Sequence, residues 1–378
     1  NVVADALKGL QDIAMCHRAR MTADVFGITG SCGKTTTKDF IHALLSTKCK
    51  SLKTQGNLNN DIGVPLTLLE LDADTQFAVI EMGANHVGEI RGLCAMAHPR
   101  ESAVTLVAPA HVEGFGSIER IAQAKFEIAE GLPAGGTFYV NVDNPYTRAM
   151  GERYAGHKVY FGSEGDVAIR SVEFDAAGEM LLDLAPVGRL RLPLPVKAHA
   201  HNVALAVAVA MQHGITEFEA PLRDAAQRAS RFKVLRVGPL EVLDDTYNAN
   251  PASVTAALEA LGQRPGSGNK IAALGSMLEL GDDAKRMHRE VGEAAGRFGV
   301  TQLFARGANA QDLVDGARAA GVPQAEVIDD HAAIAEAIAA VAGEGDVVLL
   351  KGSRGMRMEK VLEALRAHYG AQETGGRP

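Results

Sequence analysis

One stretch decides the fold of this chain: Gly27-Ile28-Thr29-Gly30-Ser31-Cys32-Gly33-Lys34-Thr35-Thr36-Thr37. It follows the apolar pair Val25-Phe26, and apolar residues recur at helical spacing after Lys34, which predicts a strand, a glycine loop and a helix. Glycines let backbone N–H groups converge on an anion, and the helix amino terminus adds partial positive charge. Lys34 can reach terminal phosphates, and the Thr35 hydroxyl can hold a magnesium ion. The stretch therefore predicts a phosphate-binding loop, with a glycine turn and an ordinary surface lysine as the alternative.

Length, charge and cysteine content narrow the class of protein. At 378 residues the chain is too long for one typical core, which favours two domains. The net charge of −8 lacks the basic footprint of a nucleic-acid-binding protein. The 4 cysteines have no paired metal-ligand spacing, and no apolar run approaches the roughly 18 to 20 residues that span a bilayer. We therefore expect a cytoplasmic protein with neither a nucleic-acid partner nor a membrane partner.

Two side chains beyond the loop, Glu81 and His111, are candidates for metal chemistry. Glu81 ends the predicted strand 77–82 and His111 follows the predicted strand 103–107, and ligands bind at such strand ends in open α/β sheets. A carboxylate is suited to magnesium and an imidazole can be a metal ligand; a helix cap and a hydrogen-bonded loop histidine are the plainer alternatives. Lys125 lies among apolar helix residues, and this pattern alone favours a lysine whose stem covers apolar surface.

The chain divides into four predicted segments. Short apolar runs alternate with glycine and proline over 158–195, which predicts antiparallel strands. From about residue 229 strands alternate with helices, which predicts a second α/β domain. We expect a central P-loop NTPase-like domain with a mostly parallel sheet plus a small antiparallel subsheet, followed by a Rossmann-like, doubly wound domain. The predicted limits are 1–20 for a linker helix, 21–228 for the central nucleotide-binding domain, 229–371 for the Rossmann-like domain and 372–378 for a disordered tail.

Three polar loops of the second domain follow predicted strands. They are Asp244–Pro251, Leu274–Gly281 and Lys351–Gly355. Each alone is consistent with a capped turn, but the carboxyl ends of parallel strands lie at one edge of a sheet. Together they predict a ligand-binding rim that could close over the phosphate loop of the first domain.

Segments along the whole chain fit one family pattern: Gly27–Thr36, Gly56–Pro65, Glu81–Ile90, Ala110–Ser117, Ala124–Ile128, His201-Asn202, Asp244–Pro251, Met277–Gly281 and Lys351–Gly355. Together they resemble the Mur ligase family, most closely the branch that joins D-alanyl-D-alanine to UDP-N-acetylmuramoyl-tripeptide. The resemblance implies an ATP-dependent amide ligase of cytoplasmic peptidoglycan precursor synthesis that works as a monomer. The tripeptide carboxylate would attack the γ-phosphate of ATP, and the dipeptide amine would then displace phosphate from the acyl phosphate. The alternatives are a catalytically idle nucleotide-binding interaction module and another amide ligase, of the folate polyglutamate or diaminopimelate-adding type.

The resemblance also implies roles for individual residues. Lys34 would hold the β- and γ-phosphates, and Thr35, Glu81 and His111 would bind two Mg²⁺ ions. Lys125 matches a position that carbon dioxide converts to a carbamate, an anionic group that supports the metals, and this implication replaces the solvated-lysine interpretation. The residues implied in nucleotide binding are Gly30, Ser31, Cys32, Gly33, Lys34, Thr35, Thr36, Asn202, Arg231, Asp245, Tyr247 and Asn248.

The sequence departs from the family pattern in several places. Cys32 stands where the family loop usually has Asn, Leu205 replaces the second Asn of the usual His-Asn-x-x-Asn, and Ser276 replaces a frequent Asp. We also expect the family's amino-terminal domain, which binds the UDP-sugar end, to be missing, with residues 1–15 forming the exit from it.

Overall fold

A computed structural model of the chain describes residues 3–110, 112–229, 231–266 and 268–370. His111, predicted as a metal ligand, and the predicted tail 372–378 lie outside the described residues. The first described helix, α1, spans Ala6–Arg18 within the segment predicted as a linker. Asp5 caps it, because the Asp5 carboxylate accepts hydrogen bonds from the first-turn N–H groups of Leu7 and Lys8.

A nine-stranded sheet forms the first half of the described chain, with the strand order β2-β3-β1-β4-β5-β6-β7-β8-β9. Its strands are β1 (Asp24–Thr29), β2 (Ser51–Lys53), β3 (Phe77–Glu81), β4 (Glu101–Val104), β5 (Thr137–Asn141), β6 (His157–Gly162), β7 (Val167–Phe174), β8 (Met180–Ala185) and β9 (Gly188–Leu192). Its helices are α2 (Lys34–Leu45), α3 (Gly63–Leu69), α4 (Glu89–Ala97), α5 (Val112–Phe115), α6 (Ile118–Glu130), α7 (Pro145–Arg153), α8 (His199–Gln212) and α9 (Glu219–Gln227).

The direction of the strands changes only at the far edge of this sheet. Strands β2 to β7 pair in parallel, and β8 and β9 then continue the sheet in antiparallel fashion. The prediction of antiparallel strands over 158–195 is therefore confirmed for the last three strands and wrong for β6. The reason is the connection, because β5 returns to β6 through α7, and a helical crossover produces a parallel pair.

A separate six-stranded sheet follows, with the order β10-β11-β15-β12-β13-β14. Its strands are β10 (Lys233–Val237), β11 (Leu240–Asp245), β12 (Lys270–Gly275), β13 (Gln302–Arg306), β14 (Gln324–Val327) and β15 (Val347–Lys351). Its helices are α10 (Pro251–Gln263), α11 (Ala284–Arg297), α12 (Ala310–Ala319), α13 (His331–Val341) and α14 (Glu359–Tyr369). All pairs are parallel except β10 with β11, an edge hairpin that the sequence pattern missed. The predicted doubly wound α/β architecture is confirmed.

Apolar layers cover both faces of the first sheet. Successive residues of a strand point to opposite faces, so Phe26 packs in the layer of α2 and α8 whereas Val25 packs in the layer of α4 and α6. All five residues of β3 are buried, as in a covered parallel strand. This packing fixes β1, β3 and β4 side by side and brings their carboxyl ends to one edge. Over the described ranges, no helix is both long and apolar enough to cross a bilayer.

Candidate functional site

The glycine loop joins β1 to α2 as predicted. Gly33 precedes the first helical residue, Lys34, and has a left-handed φ of 84°, which glycine adopts at little cost. Space also demands glycine here, because a Cβ on Gly33 would lie 2.6 Å from Oδ1 of Asn202. At Gly30 a Cβ would lie 1.8 Å from Oγ1 of Thr105. The loop therefore packs closely against Asn202 and Thr105 and leads directly into α2.

Hydrogen bonds fix the shape of this loop. Thr105 Oγ1 donates to the carbonyl of Cys32 at 2.5 Å, and Ser31 Oγ donates to the carbonyl of Ala108 at 2.7 Å. Lys34 Nζ donates to the carbonyl of Gly30 at 2.7 Å, so its ammonium folds back over the loop. The first N–H groups of a helix have no intrahelical partner. The loop thus combines helix N–H groups and a lysine ammonium in the arrangement that binds a phosphate.

Glu81 lies beside the loop at the carboxyl end of β3. Its side chain is only 2% exposed, and it accepts hydrogen bonds from Thr35 Oγ1 at 3.0 Å and from Asn59 Nδ2 at 2.8 Å. Lys38 Nζ lies 3.4 Å from the same carboxylate and is also 2% exposed. The sequence assigned roles to Thr35 and Glu81 and none to Lys38. Asn59 lies in the segment Gly56–Pro65, which matched the family pattern only as a whole. The available signal for Lys38 was its position one helical turn after Lys34.

Lys125 lies on α6 and is buried. Burial, together with the Lys34 ammonium, lowers the pKa of Lys125 to about 7, and the Cys32 thiol opposes this shift weakly. A lysine of ordinary pKa is almost fully protonated near neutral pH, whereas this amine is neutral in a large fraction of molecules. The solvated-lysine interpretation, which the residue pattern alone favoured, is wrong because the side chain does not reach the surface.

The second sheet contributes a rim of polar residues. The buried Lys351 Nζ forms an ion pair with the half-buried Asp245 carboxylate and donates to the carbonyl of Asn248 at 2.8 Å. Burial raises the pKa of Asp245, and the Lys351 ammonium opposes that rise. The guanidinium of Arg231 lies over the ring of Tyr247. These contacts order the loop at the carboxyl end of β11, where ligands bind in such sheets.

Direct contacts join the rim to the first domain. Asn250 caps α10 and its Nδ2 lies 3.0 Å from the Cys32 sulfur of the phosphate loop. The N–H of Glu113 donates to the carbonyl of Glu279 at 3.3 Å. The two sheets therefore present their site edges to each other.

A cavity of about 910 Å³ separates these edges. Each site residue predicted from the sequence lines it, apart from His111, which lies outside the described residues. The set consists of Gly30, Ser31, Cys32, Gly33, Lys34, Thr35, Thr36, Glu81, Lys125, Asn202, Arg231, Asp245, Tyr247 and Asn248. Two further lining residues, His199 and Phe232, lie outside every segment that the sequence selected. Asn59, Asn250 and Lys351 lie within selected segments, but no individual role was predicted for them. The structure thus brings together residues from two separate domains.

Only two of the three predicted rim loops contribute described residues to the lining of the cavity. The cavity is lined by residues 245 and 247–250 of the first loop and by Lys351 of the third, whereas Leu274–Gly281 does not contribute to it within the described residues. The latter loop instead supports the rim: Leu278 N donates to Ser353 Oγ at 2.8 Å. The structure also explains Leu205, which stands where the family usually has Asn: it lies on α8 and its side chain is buried in the apolar core.

Comparison with known proteins gives consistent matches across the chain. Residues 28–210 match the Mur ligase middle domain, and residues 230–354 match the family described as Mur ligase, glutamate ligase domain. The UDP-N-acetylmuramoyl-tripeptide--D-alanyl-D-alanine ligase of Escherichia coli (strain K12) is 34% identical over 376 residues, covering 97% of this chain and 82% of the relative.

Solved structures agree with the sequence matches. MurF from Acinetobacter baumannii superposes with a TM-score of 0.88 at 31% identity, covering 97% of this chain and 82% of that one. MurF ligase from Thermotoga maritima, solved in complex with ADP, has a TM-score of 0.86 at 30% identity, covering 98% of this chain and 85% of that one.

Proposed function

The chain belongs to the Mur ligase family, and on that premise we propose that it joins D-alanyl-D-alanine to UDP-N-acetylmuramoyl-tripeptide at the expense of ATP. Mur ligases are ATP-dependent amide ligases. One observation carries the assignment to this chain: the phosphate loop, the Glu81 cluster and the rim of the second sheet line one cavity. Such a cavity lets ATP, a carboxylate and an amine meet in a fixed orientation, which lowers the entropic part of the barrier.

Phosphoryl transfer requires charge neutralisation at the γ-phosphate. Lys34 and the amino terminus of α2 supply positive charge from the phosphate loop. Arg231 lines the same cavity from the second domain and adds a guanidinium that can hold phosphate oxygens. The tripeptide carboxylate then attacks the γ-phosphorus, forming an acyl phosphate and ADP. The dipeptide amine attacks the acyl carbon, and phosphate leaves as the amide bond forms.

Magnesium fits the donor set around Thr35. Thr35 Oγ1 lies 3.0 Å from Glu81, and hydroxyl and carboxylate oxygens are the ligands that magnesium prefers. Among the described residues, no group of three or more His, Cys, Asp or Glu side chains could hold a metal ion. Phosphate and water oxygens would therefore complete the shell, as is usual for magnesium. We propose Thr35 and Glu81 for one ion, and His111 for a second. Bound magnesium supplies positive charge to the phosphoryl oxygens.

Lys125 is the proposed site of carbamate formation. The neutral amine would attack carbon dioxide, forming an N–C bond and releasing one proton, and the product is an anion. Its lowered pKa supports this step, because only the unprotonated amine is nucleophilic. ¹³C-bicarbonate should therefore give a carbamate carbon resonance in the protein that is missing from Lys125→Met. A spectrum without that resonance at saturating bicarbonate would contradict the proposal.

Nucleotide binding is proposed for the remaining cavity residues. Asn202 packs against Gly33, and Asp245, Tyr247 and Asn248 lie on the opposite rim. The half-buried Asp245 carboxylate, whose ammonium partner is already in place, can accept hydrogen bonds from ribose hydroxyls. The remaining loop residues, Ser31, Cys32, Thr35 and Thr36, would surround the phosphates.

The test is phosphate release from ATP with both substrates, followed by detection of the amide product by mass spectrometry. The ligase proposal expects release only when D-alanyl-D-alanine is present, and a loss of at least about a hundredfold in Lys34→Met. Tight magnesium-ATP binding without dipeptide-dependent release would instead indicate an idle nucleotide-binding module. Release that requires glutamate or diaminopimelate would indicate another amide ligase. We also propose a monomer acting in the cytoplasm, which sedimentation and cell fractionation would check.

A further inference from the structure

Lys38 forms a buried ion pair with Glu81, and the proposed reaction gives this lysine no role. Its ammonium lies 3.4 Å from Oε2 of Glu81, and both side chains are 2% exposed. Lys38 follows Thr35 by three residues on α2, so the two side chains approach the same carboxylate from one helix face. Thr35 Oγ1 also bonds to Oε2, and Asn59 bonds to Oε1. Both carboxylate oxygens of Glu81 are therefore occupied by groups of this chain.

A second ion pair, between Asp39 and Lys53, lies next to the pair of Lys38 and Glu81. Asp39 lies 4.0 Å from Lys38 Nζ and accepts a hydrogen bond at 2.6 Å from Lys53. Lys53 is 27% exposed, whereas Lys38 is enclosed. A buried ammonium is retained only where partners compensate for its lost hydration. Lys38 is thus set in place by Glu81 on one side and Asp39 on the other.

We propose that Lys38 is a positioning residue that acts as the built-in countercation of Glu81 and makes metal binding at Glu81 depend on bound nucleotide. The proposal rests on the assignment of magnesium to Thr35 and Glu81. Without nucleotide, the positive charge of Lys38 balances the negative charge of Glu81. A divalent cation that approaches Glu81 is therefore not attracted by a net charge, and the nearby ammonium repels it. Nucleotide phosphates add several negative charges beside the loop, so the net charge near Glu81 becomes negative and attracts the cation.

This arrangement has a functional consequence. An unpaired buried carboxylate next to a threonine hydroxyl would retain a divalent cation in the empty enzyme. With Lys38 present, metal and nucleotide enter together, and the carboxylate keeps its orientation between turnovers because Thr35, Asn59 and Lys38 hold it.

The test measures Mn²⁺ binding to the protein by the loss of the free-ion EPR signal, first without nucleotide and then with ATP. We expect Lys38→Met to bind Mn²⁺ at least tenfold more tightly than wild type when nucleotide is absent. Lys38→Gln should do the same, and its amide can hydrogen-bond Glu81 if the methionine variant does not fold. Lys38→Arg should behave as wild type because it restores the charge. Lys53→Met is the matched control, since it removes an ammonium from the outer pair, and it should leave Mn²⁺ affinity within about threefold.

Two results would overturn the inference in distinguishable ways. Nucleotide-free affinities of folded Lys38→Met or Lys38→Gln within twofold of wild type would exclude a countercation role while leaving the magnesium site intact. If Glu81→Gln does not weaken Mn²⁺ binding in the presence of ATP, the magnesium assignment itself fails, and the role of Lys38 fails with it.

Discussion

Replacing Lys125 with methionine should stabilise the protein even though it removes activity. Burial and the Lys34 ammonium lower the pKa of Lys125 from 10.5 to about 7, and a shift of this size corresponds to roughly 5 kcal/mol of unfavourable free energy for the buried ammonium. Local relaxation recovers part of this cost, so it is a ceiling. Methionine fills a similar volume with no charge. We expect Lys125→Met to raise the free energy of unfolding by about 2 kcal/mol or more at pH 6.

The pH dependence follows from the direction of the shift. Between the folded pKa of about 7 and the unfolded value of 10.5, the unfolded chain binds more protons at Lys125 than the folded chain does. Stability of the wild type therefore rises with pH in that window, by up to roughly 1.4 kcal/mol per unit. The penalty is fully present below pH 7 and fades toward pH 10, so the advantage of Lys125→Met should shrink as pH rises.

The assay is urea denaturation of both proteins at pH 6, 7, 8 and 9 in buffer freed of carbon dioxide, so that no carbamate forms. Equal m-values would show that the same surface is exposed on unfolding. Added bicarbonate at pH 8 should narrow the difference only if the wild-type amine is modified. A stability difference that is constant from pH 6 to pH 9, or a destabilised variant at pH 6, would refute the reasoning about burial of the amine.

Three further predictions concern the loop and the rim. Cys32→Asn should keep the turnover rate within about tenfold, roughly 1.4 kcal/mol, because an amide can also bond across the domains; a larger loss in steady-state kinetics would assign the thiol a role. Asp245→Asn should cost about 3 to 5 kcal/mol in chemical denaturation because Lys351 stays buried without its counterion, and a loss below about 1 kcal/mol would contradict this. Gly33→Ala should weaken ATP binding and lower thermal stability more than Gly116→Ala, since both have φ of 84° but only Gly33 has a side chain against it; equal effects would show that backbone strain alone matters.

Local pattern was sufficient for the phosphate loop and for most elements. The strand, glycine loop and helix over residues 24–45 follow from glycine conformation and from apolar spacing, which act over a few residues. The same holds for the alternation of strands and helices in the second domain. The loop residues and Glu81 lie at element ends that the sequence pattern specifies. Lys125 and Asp245 were assigned roles by the resemblance to the family, because the pattern alone favours a solvated lysine at 125 and a capped turn at 244–251.

Tertiary structure alone decided which of these residues meet. Lys38 and Glu81 are 43 residues apart in the sequence. They are in contact because β3, which ends at Glu81, lies beside β1, which leads into the helix of Lys38, and no local sequence pattern specifies this strand order. Cys32 meets Asn250 across 218 positions because two separately folded sheets face each other. The lowered pKa of Lys125 likewise depends on the depth of its burial. The sequence by itself determined the chemical groups and the elements that carry them. Strand order, burial and domain packing, which arise from contacts distant in the chain, determined their distances and their charges.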